Sequence, residues 1–185
     1  MLLTHDILLH ICCAPDATVP WQSLVEEGHR VVGFFYSSNI HPFSEFKRRA
    51  RDVETLSRVL GSGCIFGPYE PPRWLEAVTR HLLVPEGGDR CSLCFKVQLS
   101  AAAALAFSLG IGSLSTTLTI SPHKDVAVID RIGGEVCREY GLQWIFRVWR
   151  KKGGFQLSVE RSSRLRFYRQ RYCGCIMSIR DEGSE

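Results

Sequence analysis

The sequence predicts an α/β protein, a Rossmann-like parallel sheet of about five strands with helices on both faces. Residues 7–11, read ILLHI, are apolar except for His10, as a central parallel strand covered on both sides should be. Short apolar runs then alternate with longer stretches of helical periodicity, the signature of repeated βαβ units. Thiols and small polar residues follow several of these runs, and in a parallel sheet ligand sites lie beyond the carboxyl ends of the strands.

The elements follow in order. After the first strand, Thr18 is expected to cap a helix with Pro20 in its first turn, running to about Glu27 before Gly28 stops it. Residues 30–36, with VVGFFY, read as the second strand, and 42–60 as a long helix ended by Gly61. Residues 64–66 form a short third strand. Pro71 and Pro72 open a helix to about residue 83, and a Gly-containing loop leads into Cys91-x-x-Cys94 at the start of an alanine-rich helix. A fourth strand over 114–118 ends in a polar turn, 119–124. A helix over 125–140 follows, with an awkward Gly133-Gly134 inside it, then a fifth strand near 143–148 and an arginine-rich helix over 157–168.

At 185 residues, 45% hydrophobic and 23% charged, the chain suits one domain with a full core. Residues 1–185 are read as a single unit whose 149–185 segment is basic and closes the site. Residues 143–185 hold ten Lys/Arg against four Asp/Glu, net +6, so with +4 overall the first 142 carry −2. That asymmetry suits an anionic partner such as RNA or a phosphorylated metabolite, or simply a solvated face. The opening MLLTHDILLHI has no basic leader, and no run approaches the roughly 18–20 uninterrupted apolar residues of a membrane span. A cytoplasmic protein with no membrane partner is expected, where grouped cysteines bind metal more often than they form disulfides.

Six of the eight cysteines fall into three tight sets, Cys12-Cys13, Cys91-x-x-Cys94 and Cys173-Gly174-Cys175, with Asp16 beside the first. A CxxC at a helix start is a good two-thiolate grip, because helix amides favour deprotonated sulfur. If Cys12 and Cys13 keep strand geometry, their side chains point to opposite faces, so that each serves a different centre or only one is a ligand. Six thiols and a carboxylate exceed the roughly four ligands of one zinc. Four thiols on an iron-sulfur cluster with the rest on a second metal would use the whole set, although sulfur ligands leave zinc open. For Asp16 the bland alternative is helix capping near Thr18. Cys64 and Cys137 read as small buried apolar residues.

These residues resemble the QueH-type epoxyqueuosine reductases, the cobalamin-independent enzymes of the last step of queuosine formation in tRNA. The resemblance rests on His10-x-Cys12-Cys13-Ala14-Pro15-Asp16, Tyr36-x-x-Asn39-Ile40-x-Pro42-x-x-Glu45 with Arg49, and Arg90-Cys91-x-x-Cys94. It continues in Ser115-Thr116-Thr117-Leu118-x-x-Ser121-Pro122-x-Lys124 and Tyr168-Arg169-Gln170-x-Tyr172-Cys173-Gly174-Cys175. It implies a fold like that of the adenine-nucleotide hydrolases, one [4Fe-4S] cluster and a mononuclear iron. Carried onto this chain, Cys12, Cys91, Cys94 and Cys173 would hold the cluster, and Cys13, Asp16 and Cys175 the single iron, a division that splits both close pairs. The chain departs from the family pattern at Lys151-Lys152-Gly153-Gly154 and at Arg164-Leu165, which bears on RNA contacts rather than on the thiols.

The implied reaction reduces the cyclopentane epoxide of epoxyqueuosine to the alkene with loss of water. It needs two electrons and two protons, hence an external low-potential electron donor. An iron with two thiolates and one carboxylate leaves a position open for Lewis-acid help at the epoxide oxygen. His10, His41 and Tyr172 are candidate proton donors, with a packed core role the commoner fate of a strand histidine. Asn39, Glu45, Thr116, Thr117 and Ser121 are candidates for hydrogen bonds to the modified base or ribose, against turn or cap roles. Lys124, Arg150, Lys151, Lys152, Arg169 and Arg171 would meet tRNA phosphates, and Trp149, Phe155 and Tyr168 would stack on loop bases or pack in the core. Two rivals remain: an iron-sulfur tRNA-thiolating enzyme, which should show a phosphate loop where this chain has CCAPD, and a zinc-stabilised RNA-binding module without catalysis.

Overall fold

The computed structural model describes residues 6–179. Five parallel strands, β1 (Asp6–Ile11), β2 (Arg30–Phe35), β3 (Cys64–Phe66), β4 (Ser113–Thr116) and β5 (Gln143–Trp144), form one sheet in the order β3-β2-β1-β4-β5. The direction of winding reverses between β1 and β4, so this doubly wound sheet opens its crevice beyond their carboxyl ends. Among the described residues six α-helices cover it: α1 (Ala14–Glu26), α2 (Phe43–Leu60), α3 (Pro71–Val78), α4 (Asp89–Ser108), α5 (Val126–Glu139) and α6 (Gly154–Arg164).

The alternation of β1 side chains explains the two layers. Ile7, Leu9 and Ile11 enter one core with α1, α2 and Trp149, whereas Leu8 enters the other with α4 and α5. The strand is buried on both faces, so polar residues within it must find partners. His10 does: Nε2 lies 3.2 Å from the Tyr36 carbonyl and Nδ1 2.9 Å from Thr116 Oγ1. The carbonyl can only accept, so Nε2 carries the proton and Nδ1 accepts from the hydroxyl.

Burial first, against the Tyr36 hydrogen bond, lowers the His10 pKa from 6.5 to about 4. The folded pKa is depressed, so the stability is complete above about 6.5 and is lost as the unfolded state gains its proton between about 6.5 and 4. The shift corresponds to about 3 kcal/mol. Urea unfolding of metal-free protein across that window should therefore fall more steeply for wild type than for His10→Gln, and parallel slopes would refute the assignment.

Several boundaries move for identifiable reasons. The first helix begins at Ala14 with Cys13 at its N-cap and Pro15 in its first turn; Thr18 caps nothing and instead donates to the Pro15 carbonyl at 2.9 Å. Asp16 thus occupies the first turn, where the helix field favours a negative charge. The fifth strand ends after two residues because the Ile145 and Arg147 carbonyls accept from Ser115 Oγ and Thr119 Oγ1. Gly133 is explained by Trp144, whose ring a Cβ there would approach to 2.2 Å. The last helix starts early at Gly154 and ends at Arg164 instead of near 168.

Helix α4 is long and apolar enough, by length and composition, to cross a membrane, with a mean hydropathy of 1.4 despite its interruptions. One face, including Leu99, Ala102, Ala103 and Ala106, is buried in the core with β4 and α5. Small side chains there let the helix approach the sheet closely, which fixes the two thiols at its start.

Candidate metal centre

Three separate parts of the chain bring sulfur to the crevice. At the end of β1 the chain turns directly into α1, so Cys12 and Cys13 do not keep strand geometry. Their sulfurs lie 3.9 Å apart, and Cys12 Sγ is 3.4 Å from Asp16 Oδ2. The ligand atoms of all three residues lie within 4.8 Å of one another. The ground for separating the adjacent cysteines is therefore removed: one ion can reach both. Thr117, following β4, accepts from the Cys12 amide at 3.4 Å and lies 3.5 Å from its sulfur.

The second set stands at the start of α4. Cys91 Sγ accepts from the Gly87 amide at 3.2 Å, and Cys94 Sγ accepts from Gln98 Nε2 at 3.1 Å. Burial pushes the Cys94 thiol up to about 12 and raises Cys91 as well. Arg90 is committed to the Leu82 and Val84 carbonyls, so it shapes the preceding loop. Cys175, expected beside Cys13 and Asp16, instead packs with Trp74, Val78 and Cys94, and Cys173 borders the same group. The hydrogen bond from Cys175 pulls the Cys173 thiol down to about 6.

Cys12, Cys91, Cys94, Cys173 and Cys175 line one cavity, which continues into a cleft lined by Asp16, Ser121, Phe155, Arg169 and Tyr172. Lys124 and Gln170 line both. Lys124 Nζ sits 4.0 Å from Asp16 Oδ2. Burial would lower its pKa, but Cys12, Asp16 and Cys173 outweigh that and raise it, so the ammonium stays charged. All eight cysteines are free thiols.

The donor set fits inorganic cofactors. Burying several anionic thiolates and a carboxylate together is unfavourable without nearby positive charge, and of the cations on the cavity wall Arg49 and Arg90 already serve Glu45 and backbone carbonyls, which leaves Lys124 facing Asp16. Amide N–H groups aimed at cysteine sulfurs, as at Cys91, Cys94 and Cys13, are the second-sphere contacts that tune iron-sulfur centres.

Other predicted site residues have structural duties. Glu45 and Arg49 form a buried pair, Nε to Oε1 2.7 Å, and the guanidinium also donates to the Cys173 and Tyr172 carbonyls at 3.0 and 3.1 Å. Glu45 is thus one step removed from the site, holding the arginine that holds Cys173. Thr116 serves His10, and Arg150 donates to the Ser121 and Lys124 carbonyls at 2.8 and 2.9 Å, bracing the turn that presents Lys124. Trp149 is core, its Nε1 donating to the Thr116 carbonyl. His41 is tied to the Asn39 carbonyl, and its own carbonyl accepts from Tyr172. Neither cavity is lined by His10, His41, Glu45 or Thr116. Lys151 and Lys152 are exposed, Arg169 lies over the Phe155 ring at 5.3 Å, and Arg48 covers Tyr168 at 3.5 Å.

Two amides went unpredicted. Gln98 lies one helical turn beyond Cys94, a spacing that could have flagged it. Gln170, which stood in the matched motif without a role assigned to it, donates from Nε2 to Cys13 Sγ at 3.0 Å, a partner that the motif does not name.

A family model described as epoxyqueuosine reductase QueH matches residues 7–181. Among relatives carrying that same name, one from Thermotoga maritima is 35% identical over 94% of this chain and 90% of its own length. Another from Haemophilus influenzae is 34% identical over 96% and 73%, and a third from Streptococcus pyogenes is 35% identical over 96% and 72%. A solved structure of a predicted subunit of tRNA methyltransferase from Methanocaldococcus jannaschii shares the fold, with a TM-score of 0.55 at 12% identity over 86% of this chain and 74% of that one.

Proposed function

The chain belongs to the epoxyqueuosine reductase QueH family, and from that premise we infer that it reduces epoxyqueuosine in tRNA to queuosine at the crevice between β1 and β4. The observation that carries this is the meeting of the three cysteine sets and Asp16 around one cavity and its adjoining cleft. The close trio of Cys12, Cys13 and Asp16 suits the single iron, and Cys91, Cys94, Cys173 and Cys175 suit the [4Fe-4S] cluster. When bound, those centres would supply electrons and Lewis acidity for breaking the C–O bond.

The chain's own residues do the rest. Lys124 balances the anionic ligands and sets a positive potential where oxygen departs as water. Burial pushes the Tyr172 phenol up to about 12, so it holds its proton at neutral pH, and this hydroxyl on the wall of the cleft is our choice of donor once it turns from the His41 carbonyl to the substrate. His10 is a neutral strut inside the sheet. Ser121 and Arg169 face the substrate in the cleft, Lys152 meets phosphate on the exposed surface, and an external low-potential donor delivers the electrons. The 149–185 segment, of which 180–185 lie outside the described residues, closes the site, and the setting is the cytoplasm.

The test is iron, sulfide and zinc analysis of protein prepared without oxygen, followed by mass spectrometry of nucleosides after reaction with epoxyqueuosine-bearing tRNA and a chemical reductant. We expect about five irons to four sulfides per chain and conversion to queuosine. Colourless protein with one tight zinc and no conversion would favour the RNA-binding alternative, and tRNA-dependent ATP cleavage the thiolating one.

A further inference from the structure

Two amide oxygens on the cavity wall have no partner. Asn39, in the loop after β2 and only 7% exposed, leaves Oδ1 buried and unpaired. Gln170 leaves Oε1 in the same condition while its other end donates to Cys13. That orientation is the chemically sensible one, because a carbonyl oxygen turned toward a thiolate would be repelled. Both residues line the thiol cavity, and Gln170 continues into the cleft.

A buried acceptor without a donor is unfavourable, and native proteins leave few of them unexplained. Cysteines that bind metal become thiolates, which accept hydrogen bonds and donate none. The remaining fully buried side-chain atom on this wall without a close partner, among the described residues, is Trp74 Nε1, a donor beside the Cys94 sulfur, and the Lys124 ammonium is drawn to Asp16 at 4.0 Å. The acceptors therefore call for donors on the ligand.

We propose that Asn39 Oδ1 and Gln170 Oε1 are paired acceptors for substrate hydroxyl groups, holding a polyol ring against the metal ligands. Gln170 does so while its N–H fixes Cys13. This rests on the reductase reading, under which the hydroxyls belong either to the modified cyclopentane ring or to the ribose. Asn39 and Gln170 act as positioning residues: they orient the ring so that its epoxide meets the centre, and transfer no proton or electron.

The experiment measures anaerobic binding and turnover of an epoxyqueuosine-bearing anticodon stem-loop by wild type, Asn39→Ala, Asn39→Asp and Gln170→Met. Two further stem-loops lack either the ribose 2′-hydroxyl or the cyclopentane hydroxyls. Wild type should bind the relevant hydroxyl-deleted stem-loop about tenfold or more weakly, whereas Asn39→Ala and Gln170→Met should bind the intact one equally weakly and no longer distinguish the two. The arm that loses affinity identifies the ring. Asn39→Asp keeps an acceptor oxygen and should retain the discrimination. Asn39→Ala should keep the wild-type iron content and absorption spectrum, while Gln170→Met should shift the sulfur-to-iron charge-transfer band through its lost contact with Cys13. If wild type neither binds nor converts the intact stem-loop, the reductase reading fails. If it does both but no hydroxyl deletion matters, or Asn39→Ala and Gln170→Met discriminate as wild type does, this inference alone is overturned.

Discussion

Replacing Asp16 with alanine should abolish conversion of epoxyqueuosine-bearing tRNA while leaving most of the acid-labile sulfide in place. The carboxylate is 6% exposed, lies in the first turn of α1 and has its oxygen 3.4 Å from Cys12 Sγ. On the proposed assignment four thiols would remain for the cluster when it is lost, but the hard oxygen ligand of the neighbouring iron would go with it. Iron per chain should drop by about one while sulfide holds near four. Asp16→Asn is the control for packing: it preserves shape, removes the charge beside Lys124, and should lose the same iron. Full turnover by Asp16→Ala would end the assignment of this residue to the metal.

The largest loss of stability is expected from Arg49→Leu, at about 3–5 kcal/mol, as for breaking a buried ion pair from one side. The guanidinium is 2% exposed, and its removal strands Glu45 together with the Tyr172 and Cys173 carbonyls. Gly174 adds to the geometry: its φ of +108° disfavours any side chain, and a Cβ would lie 2.8 Å from Ile40 and 3.2 Å from Arg49 Nη1. The segment carrying two of the six grouped thiols is thus strapped to α2 by Arg49, with the Tyr168 amide donating to Asp52 and the His41 amide to the Gly174 carbonyl on either side. Urea unfolding should register the loss, and thiol labelling of metal-free protein should find Cys173 and Cys175 reacting faster than in wild type. Glu45→Gln keeps a hydrogen-bond acceptor for Arg49 and should lose less, about 1–3 kcal/mol. A wild-type unfolding curve for Arg49→Leu would show that the clamp is idle.

How far these features were legible depended on whether the signal was local. ILLHI read as a central strand and Cys64–Phe66 was bounded by glycines, so both emerged as expected. The start of α1 was misjudged because Thr18 is a good cap by composition, whereas the geometry hands that position to Cys13 and places Asp16 among the sulfurs. Glu45, Thr116 and Arg150 resemble substrate contacts in sequence, since polar residues at strand ends and turns serve ligands and backbone alike. Their partners lie at long range, Thr116 with His10 and Arg150 with the Lys124 carbonyl, and no window of sequence reveals that. Gln170 was missed for the same reason: its contact with Cys13 spans 157 residues.

The strap also bears on when the proposed metal centres could form during synthesis. A nascent chain that has reached residue 170 already contains every strand of the sheet, yet it carries only four of the six grouped thiols and lacks the carbonyls that Arg49 grips. Completion of a four-thiol site must therefore trail synthesis of residue 170, and a released fragment of residues 1–170 should contain every strand yet hold no [4Fe-4S] cluster.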